Sequence, residues 1–252
     1  MNELGIFKKI LRDAKKALLQ SKNEVVVKRE NVQTQADLVS QTNIINSLKE
    51  NNISCTLYSE ELDAPLELNG GKYEIVLDPL DGSFLYLHGI SAATSIAMIV
   101  LEERKVKYAF VQSMADDSLY HCDEIFAYLN GKKITCNIGS ASEPYFISGY
   151  AAPKKEILQR VSAIAKIPSD FYFLNGGGSL YSALVSSNNF DAAMEIAPAP
   201  LHEFAGAMIA QRAGAFVETL EGTPVLLDPL AEQTLVVTRS EKLLREIQGA
   251  LR

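Results

Sequence analysis

Two carboxylates stand three residues apart in the segment 78–83, whose sequence is Asp-Pro-Leu-Asp-Gly-Ser. The segment directly follows a largely apolar run at residues 73–77, which predicts that it lies at the end of a strand. The proline has a fixed φ angle, which allows Asp78 and Asp81 to turn toward one point and leaves the Leu80 carbonyl as a third oxygen. Ligand sets made only of oxygen suit Mg²⁺ or Mn²⁺. The segment therefore predicts a binding site for a divalent cation.

A phosphate group could bind beside this cation. The backbone N–H groups of Gly82 and Ser83 would lie at the start of a helix, where unpaired donors favour an anion. A second pair of acids, Glu60 and Glu61, follows another apolar run at residues 53–58. Because ligands collect at the carboxyl ends of strands in α/β sheets, we expect these acids beside the two aspartates. The alternative is a simple tight turn, since Asp, Pro and Gly each favour turns.

These motifs resemble the signature of a known family. Glu60-Glu61 followed by residues 78–83 is similar to the pattern of the inositol monophosphatase and archaeal fructose-1,6-bisphosphatase family. Weaker parts of that pattern follow the family's order: Thr34 to Asp37, the turn Asn130-Gly131, Gly178-Ser179, Glu195, Ala205-Gly206 and Ala213-Gly214. The resemblance spans nearly the whole chain. It implies the α/β (α+β) class and a layered αβαβα sandwich.

The resemblance also implies a role for each candidate residue. The implied metal ligands are Glu60, Asp78, Leu80 through its carbonyl, Asp81 and, at the remaining position, His202. The implied catalytic residues are Glu60, Asp81, Ser83 and Asp37. The implied substrate contacts are Gly82, Ser83, Gly178, Ser179 and Glu195. The glycine run that ends before Ser179 could instead form only a tight turn.

The implied mechanism is direct attack of water on the phosphoryl group, without a covalent intermediate, supported by Mg²⁺ with Mn²⁺ as a possible substitute. By resemblance, Ser83 and Glu60 orient the water, and Asp37 helps to hold a weaker third ion. Asp81 contacts both a metal and the leaving oxygen, and Glu195 accepts hydrogen bonds from substrate hydroxyls. Two of these roles have alternatives: Asp37 could be a helix N-cap, and Glu195 a solvated strand end.

One position departs from the family pattern. The family usually carries a Trp-Asp pair five and four residues before a glycine, and counting back from Gly206 places Leu201 and His202 there. Imidazole prefers Zn, Cu, Fe or Ni over Mg, so we expect a weakened Mg²⁺ site or a changed metal preference. Glu203 stands beside His202 and could swing in as the ligand instead, although in a helix it would point about 100° away. Alternatively, His202 only caps a helix and the second metal is poorly held.

The resemblance leaves the substrate open. Family members hydrolyse inositol-1-phosphate, fructose-1,6-bisphosphate or adenosine 3′,5′-bisphosphate, and the compact chain favours the archaeal-type activity on inositol and fructose phosphates. Lys154 and Lys155 are candidates for contacting a second phosphate, although lysine pairs at a helix start usually face solvent. A different class of function is a diverged, catalytically poor relative that binds a phosphorylated ligand. Retained acids favour activity, because clustered carboxylates repel one another without a cation.

Composition narrows the partners and the compartment. The chain has 252 residues, 47% of them hydrophobic, and a formal charge of −7, which argues against nucleic acid or an anionic membrane as partner. Three cysteines without a Cys-x-x-Cys spacing predict reduced thiols and a cytoplasmic protein. Neither a leader nor a membrane anchor is expected. By resemblance, the protein is expected to form a homodimer.

Apolar periodicity predicts two helices, then strands, then alternating strands and helices. The strands are expected near 53–58, 73–77, 92–101 and 105–112, and a hairpin follows with a type I′ turn at Asn130-Gly131. Beyond Phe146 we expect helices at 153–166, 179–187 and 202–213 between strands. We expect residues 21–33 to be mostly polar and mobile apart from the apolar run 25–27, with Lys22, Lys28 and Arg29 near the entrance of the site. By resemblance, this segment is the loop that closes over the metals. The whole is predicted as one domain, 1–252, with an α+β half of about 1–142 and an α/β half of about 143–252.

Overall fold

Two helices form the first layer of the protein. In this computed structural model, which describes residues 2–21, 24–28, 32–139, 142–150, 162–176 and 178–251, helix α1 spans Glu3–Leu19 and helix α2 spans Gln35–Glu50. The Asn2 side chain caps α1 by accepting the Gly5 N–H. The apolar face of each helix is buried against the first sheet.

The segment between these helices, predicted as a loop, contains two short strands among its described residues. Strands β1 (Val25–Lys28) and β2 (Val32–Thr34) pair as an antiparallel hairpin. The β-branched valines of β1 favour the extended backbone. Lys22 and Arg29 lie outside the described residues, as does the Lys28 side chain.

An eight-stranded sheet forms the second layer. Its strands are β3 (Cys55–Ser59), β4 (Leu66–Leu68), β5 (Tyr73–Asp81), β6 (Ser95–Glu102), β7 (Lys105–Ser113), β8 (Leu119–Cys122), β9 (Ala127–Leu129) and β10 (Lys132–Ile134), in the order β10-β9-β8-β7-β6-β5-β3-β4. Strands β3 and β5 are parallel neighbours, which brings the acids that follow β3 beside the last residues of β5. Strand β5 is longer than the predicted 73–77 and includes Asp78 and Asp81. A short helix α3 (Ser83–Leu87) and a 3₁₀ turn (Ser91–Ala93) connect β5 to β6.

The second half of the chain adds a five-stranded sheet. Its strands are β11 (Tyr145–Tyr150), β12 (Phe171–Asn175), β13 (Ala192–Pro200), β14 (Phe216–Glu218) and β15 (Glu232–Thr238), in the order β12-β11-β13-β15-β14. Helices α4 (Ser179–Ser186) and α5 (Ala205–Arg212) pack between the two sheets, and a 3₁₀ helix (Leu201–Phe204) leads into α5. Helix α6 (Glu241–Leu251) covers the outer face of the second sheet.

Three apolar cores separate these layers. One lies between the first two helices and the first sheet, one between the two sheets around α4 and α5, and one between the second sheet and α6. The order of layers is therefore α, β, α, β, α, which confirms the predicted fold class.

The structure confirms some of the predicted turns and helices and differs from others. The Asn130-Gly131 turn is confirmed as type I′, with φ angles of 51° and 79°. The helix predicted at 153–166 lies mostly outside the described residues, although 162–164 are helical. The helix predicted at 202–213 begins instead as a 3₁₀ helix. Helix α6 was not predicted, although Leu243, Leu244 and Ile247 have helical spacing and are buried.

All three cysteines are free and buried. Burial raises the pKa of the Cys55 and Cys136 thiols to about 11 and that of Cys122 to about 12. Each thiol is therefore protonated and unreactive at neutral pH. Of the helices in the described part of the chain, none is long and apolar enough to cross a membrane.

Candidate active site

The parallel pairing of β3 with β5 places two acids side by side. Ser59 is in register with Leu77, and the Glu60 N–H donates to the Leu77 carbonyl at 3.1 Å. Glu60 directly follows β3, and Asp78 is the next residue of β5. The predicted convergence of the two strand ends is thus present in the structure.

The segment 78–83 folds back on itself through its own polar groups. The Leu80 N–H donates to Asp78 Oδ1 at 2.9 Å, which points this carboxylate into the turn. Asp81 Oδ2 accepts the Ser95 hydroxyl at 3.0 Å. Gly82 follows with φ of 84°, a conformation that L side chains rarely adopt. The sequence forms this turn because a glycine follows the second aspartate.

Asp37 joins α2 to this turn. Thr34 caps α2, and Asp37 Oδ2 accepts both the backbone N–H and the hydroxyl of Thr34 at 2.6 Å, which completes a capping box. Its other oxygen, Oδ1, lies 2.6 Å from the Ser83 hydroxyl. Asp37 is therefore not the N-cap itself, and it contacts a residue that the sequence placed in the catalytic group.

Helix α4 contributes backbone donors to acids of the site. The Gly178 N–H donates to Glu195 Oε1 at 2.6 Å, and the Ser179 N–H donates to Asp81 Oδ2 at 2.9 Å. A Cβ atom on Gly178 would lie 2.3 Å from Asp81 Oδ1, so only glycine fits there. These two N–H groups, predicted to contact substrate, here position Glu195 and Asp81.

The 3₁₀ helix Leu201–Phe204 brings two further side chains to the strand ends. Ligand atoms of Glu60, Asp78 and His202 lie within 4.8 Å of one another, and so do those of Asp78, Asp81 and Glu203. Glu203 was expected to point away from His202. Instead, His202 Nε2 and Glu203 Oε1 are 4.0 Å apart, because the long glutamate side chain reaches back to the cluster.

Burial and crowding raise the pKa values of these acids. Burial and the neighbouring Glu61 raise the pKa of Glu60 to about 8, and burial raises that of Glu195 to about 8 and that of Asp81 to about 6. The pKa values of Asp78 and Glu203 are also raised, again chiefly by burial. Burial lowers the pKa of His202 to about 4, so its imidazole is neutral at physiological pH.

Comparison with known proteins agrees with this arrangement. The family model described as "Inositol monophosphatase family" matches residues 3–251. The chain belongs to the inositol monophosphatase family. It is therefore a phosphatase, which confirms the class of enzyme inferred from the strand-end motifs.

Two relatives of similar sequence carry names that describe different roles. A fructose-1,6-bisphosphatase/inositol-1-monophosphatase of Archaeoglobus fulgidus is 26% identical over 217 residues, which cover 82% of this chain and 79% of the relative. A putative Nus factor SuhB of Neisseria meningitidis serogroup B is 28% identical over 159 residues, covering 60% of this chain and 59% of the relative.

Solved structures support the fold. The extragenic suppressor protein suhB of Bartonella henselae superposes with a TM-score of 0.87 at 18% identity, covering 99% of this chain and 98% of the other. Thermotoga maritima IMPase superposes with a TM-score of 0.81 at 18% identity, with the same coverage. At this identity the likeness concerns the shared fold of the inositol monophosphatase family.

The donors at the strand ends fit the divalent cation on which the inositol monophosphatase family depends. Each of the two groups whose ligand atoms lie within 4.8 Å of one another contains at least two carboxylates, and carboxylate oxygens suit Mg²⁺ or Mn²⁺. Burial is the main cause of the raised pKa values of Glu60, Asp78 and Glu203, and repulsion between neighbouring carboxylates adds to it. Three residues named in the sequence predictions lie outside the described residues: Gly177 of the glycine run, and Lys154 and Lys155, the candidates for contacting a second phosphate.

We expect metal-free protein to lose stability as pH rises from 6.5 to 8. Glu60 and Glu195 have folded pKa values of about 8 against 4.5 for the ordinary group, so the folded state binds more protons and their stabilisation is lost as pH rises. The slope is about 1 kcal/mol per pH unit for each glutamate that is still protonated. His202 and His121, with pKa values lowered to about 4, act in the opposite direction but only below about pH 6.5.

Thermal melts in EDTA across this pH range measure the effect. Added Mg²⁺ or Mn²⁺ should restore the melting temperature at pH 8, while an equal ionic strength of KCl should not. A melting temperature that stays constant with pH in EDTA would contradict the crowding of buried acids described above.

Proposed function

We propose that the protein hydrolyses a small phosphorylated polyol or sugar, inositol-1-phosphate and/or fructose-1,6-bisphosphate, by direct attack of water. The observation that carries this proposal is that the possible metal ligands form two overlapping sets, called donor sets below, which share Asp78 and lie beside the Ser83–Asp37 hydrogen bond. One set is Glu60, Asp78 and His202, and the other is Asp78, Asp81 and Glu203. The name of the Archaeoglobus relative, which joins both activities, supports the same substrate class.

The donor sets fit Mg²⁺, with Mn²⁺ as a substitute, held by Glu60, Asp78, Asp81 and the Leu80 carbonyl. When bound, the cation supplies positive charge to the transferring phosphoryl group and lowers the pKa of water. The Leu80 carbonyl lies 2.8 Å from the Ser83 hydroxyl and retains a second lone pair for another partner.

Ser83 is placed to orient the attacking water by accepting a hydrogen bond from it. If its hydroxyl donates to Asp37, the oxygen of Ser83 has lone pairs free to accept a hydrogen bond from water. Burial raises the pKa of Asp37, and the Ser83 and Thr34 hydrogen bonds partly counter this effect. Asp37 therefore orients the serine, Glu60 holds the water from its other side, and the water is aligned for attack.

The opposite side of the site would hold the sugar. Asp81 is fixed by Ser95 and the Ser179 N–H, so it can contact the leaving oxygen at a constant position. Glu195 is buried, and one of its oxygens is held by Gly178. Its second oxygen would bind a substrate hydroxyl. Gly82, Ser83 and the Gly178-Ser179 segment complete the proposed substrate contacts.

Replacing Ser83 with alanine should lower kcat about a hundredfold and leave KM nearly unchanged, because the lost hydroxyl acts on water, whereas the proposed substrate contact of Ser83 is made by its backbone N–H, which alanine keeps. Steady-state kinetics on the preferred substrate measure both constants. Ser83→Thr keeps the hydroxyl and should retain most of the activity. A raised KM with normal kcat in Ser83→Ala would instead make Ser83 a binding residue.

Phosphate release tests the proposed function. Inositol-1-phosphate, fructose-1,6-bisphosphate and adenosine 3′,5′-bisphosphate should each be assayed with Mg²⁺, with Mn²⁺ and with EDTA. Cation-dependent release from either of the first two supports the proposal. Release from the third alone would make the protein a 3′,5′-bisphosphate nucleotidase, and no release from any of them by folded protein would reject the proposal.

A second candidate function is a weakly active or inactive relative that binds a phosphorylated ligand. The observation that favours it is His202 in place of the carboxylate that the family pattern expects. The Neisseria relative named as a Nus factor shows that a protein of related sequence is described by a role other than hydrolysis. Tight binding of a phosphorylated ligand without its turnover would support this alternative.

We further propose that the 252 residues act as one phosphatase domain, with halves of about 1–142 and 143–252, that forms a homodimer in the cytoplasm. The free thiols support a reducing compartment. The net charge of −7 favours a small-molecule substrate over nucleic acid or an anionic membrane. Sedimentation of the purified protein tests the dimer.

A further inference from the structure

The 3₁₀ helix Leu201–Phe204 adds two chemically different donors to the site. His202 offers an imidazole nitrogen, and Glu203 offers a carboxylate oxygen. His202 groups with Glu60 and Asp78, whereas Glu203 groups with Asp78 and Asp81. The two sets therefore share Asp78 and differ in that one contains nitrogen and the other contains only oxygen.

Resting on the proposed metal-dependent function, we infer that the two sets select different ions. The set of Glu60, Asp78 and His202 holds Zn²⁺ or another transition metal that imidazole favours, in preference to Mg²⁺. The set of Asp78, Asp81 and Glu203 holds Mg²⁺ or Mn²⁺. Imidazole suits Zn and other transition metals, while sets made only of carboxylate suit Mg and Mn, and this difference in donor type is the basis of the selection.

The His202 backbone carbonyl accepts the Ser179 hydroxyl at 3.5 Å, but among the described residues no hydrogen bond makes the His202 side chain a helix cap. The N-cap residues, Pro200 for the 3₁₀ helix and Phe204 for α5, make no capping hydrogen bond with their own side chains. The first N–H of α5, from Ala205, donates to the Ser179 hydroxyl at 3.1 Å. The proposal that His202 merely caps a helix therefore finds no hydrogen bond to support it, and its head group lies among acids instead.

Glu203 keeps the number of carboxylates that the family pattern expects. With histidine at the position of the family's aspartate, the carboxylate is displaced by one residue along the chain. The short 3₁₀ helix still lets the Glu203 side chain reach Asp78 and Asp81. Loss of the aspartate is thus compensated at the oxygen set, and His202 is an added donor at the other set.

The side chains are enclosed enough to hold ions firmly. Asp78 is 1% exposed, and the side chains of His202 and Glu203 are 15% and 28% exposed. Buried ligands lose less to competing water than surface carboxylates do, and one open side leaves access for ions and substrate. This enclosure distinguishes the cluster from acids on a solvated surface.

Side-chain NMR of ¹⁵N-histidine protein tests the inference without an activity assay. The chain has three histidines, and the other two serve as internal references. His121 is 1% exposed and stacks between Phe110 and Tyr128, and His88 is exposed. One equivalent of Zn²⁺ added to metal-free protein should shift only the imidazole signals that His202→Gln removes, and excess Mg²⁺ should leave them unchanged.

Two variants separate the sets. His202→Asp should reduce the preference for Zn²⁺ over Mg²⁺ about tenfold or more in calorimetric titrations. Glu203→Gln should weaken Mg²⁺ binding by a similar factor and leave the Zn²⁺-induced shift of His202 intact. Glu67→Gln, at an exposed strand position, should alter neither affinity.

The outcomes also separate this inference from the proposed function. If His202 signals ignore Zn²⁺, or only His88 responds, the inference is rejected, even where Mg²⁺-dependent phosphate release continues and the proposed function stands. If Zn²⁺ shifts His202 but no substrate is hydrolysed with any ion, the mixed site stands and the proposed function fails. Equal metal selectivity of the wild type and His202→Asp also rejects the inference.

Discussion

Replacing Asp78 with asparagine should lower kcat by about a thousandfold or more. Asp78 belongs to both donor sets, so its loss weakens both, and a cation in such a site supplies several kcal/mol of transition-state stabilisation. The asparagine oxygen can still accept the Leu80 N–H, so the turn should persist. Phosphate release and calorimetric titration with Mg²⁺ measure the two consequences.

A folding defect can be distinguished from a lost ligand in the same variant. Because burial raises the pKa of Asp78, its charge destabilises the metal-free fold, and Asp78→Asn should melt at the same or a higher temperature in EDTA. Cations should no longer raise that melting temperature as they do for the wild type. Asp117→Asn, at a fully exposed side chain, should leave activity unchanged. Activity of Asp78→Asn near the wild-type level would overturn the metal assignment.

Replacing Gly206 with alanine should destabilise the fold by about 3 kcal/mol or more. A Cβ atom there would lie 1.8 Å from the Ser179 carbonyl oxygen and 2.6 Å from the Ala183 nitrogen, so α4 and α5 must separate. For a chain of this size, such a loss corresponds to a fall in melting temperature of about 6 to 12 °C. Differential scanning calorimetry measures it.

Gly249 provides a matched control, because it is also a helical glycine. No described atom lies within 4 Å of a Cβ atom placed on it, so Gly249→Ala should leave the free energy of unfolding unchanged or raise it by up to about 1 kcal/mol. Gly206→Ala should in addition weaken metal binding, since the Ser179 N–H that positions Asp81 starts α4. Equal melting temperatures for the two variants would show that α4 and α5 separate without cost.

The parts of the site that were predictable from sequence are those that depend on local chemistry. Two apolar runs ending in acids predicted strand ends at Glu60 and Asp78, and the parallel sheet placed them together. The Asn130-Gly131 turn follows from the preference of both residues for positive φ. Such features need only a few neighbouring residues and the general behaviour of α/β sheets.

The parts that were not predictable depend on contacts between distant segments. The Gly178 N–H finds Glu195 and the Ser179 N–H finds Asp81 only once the two sheets pack around α4. The stretch around Glu203 was expected to be α-helical, and a four-residue 3₁₀ helix has no periodicity long enough to detect. The sequence therefore identified the acids of the first sheet and named Glu203 as an alternative ligand, whereas the position of Glu203 beside Asp78 and Asp81 required the structure.

The buried thiols provide a built-in measure of how each layer opens. Cys55 lies in the core beneath α1 and α2, while Cys122 and Cys136 lie in the core between the sheets. A thiol reagent can label each one only after the surrounding core has opened to solvent, so the labelling rate reports that local opening. Comparing the rates with and without a divalent cation would show which layer the ion holds closed, without introducing a cysteine by mutation.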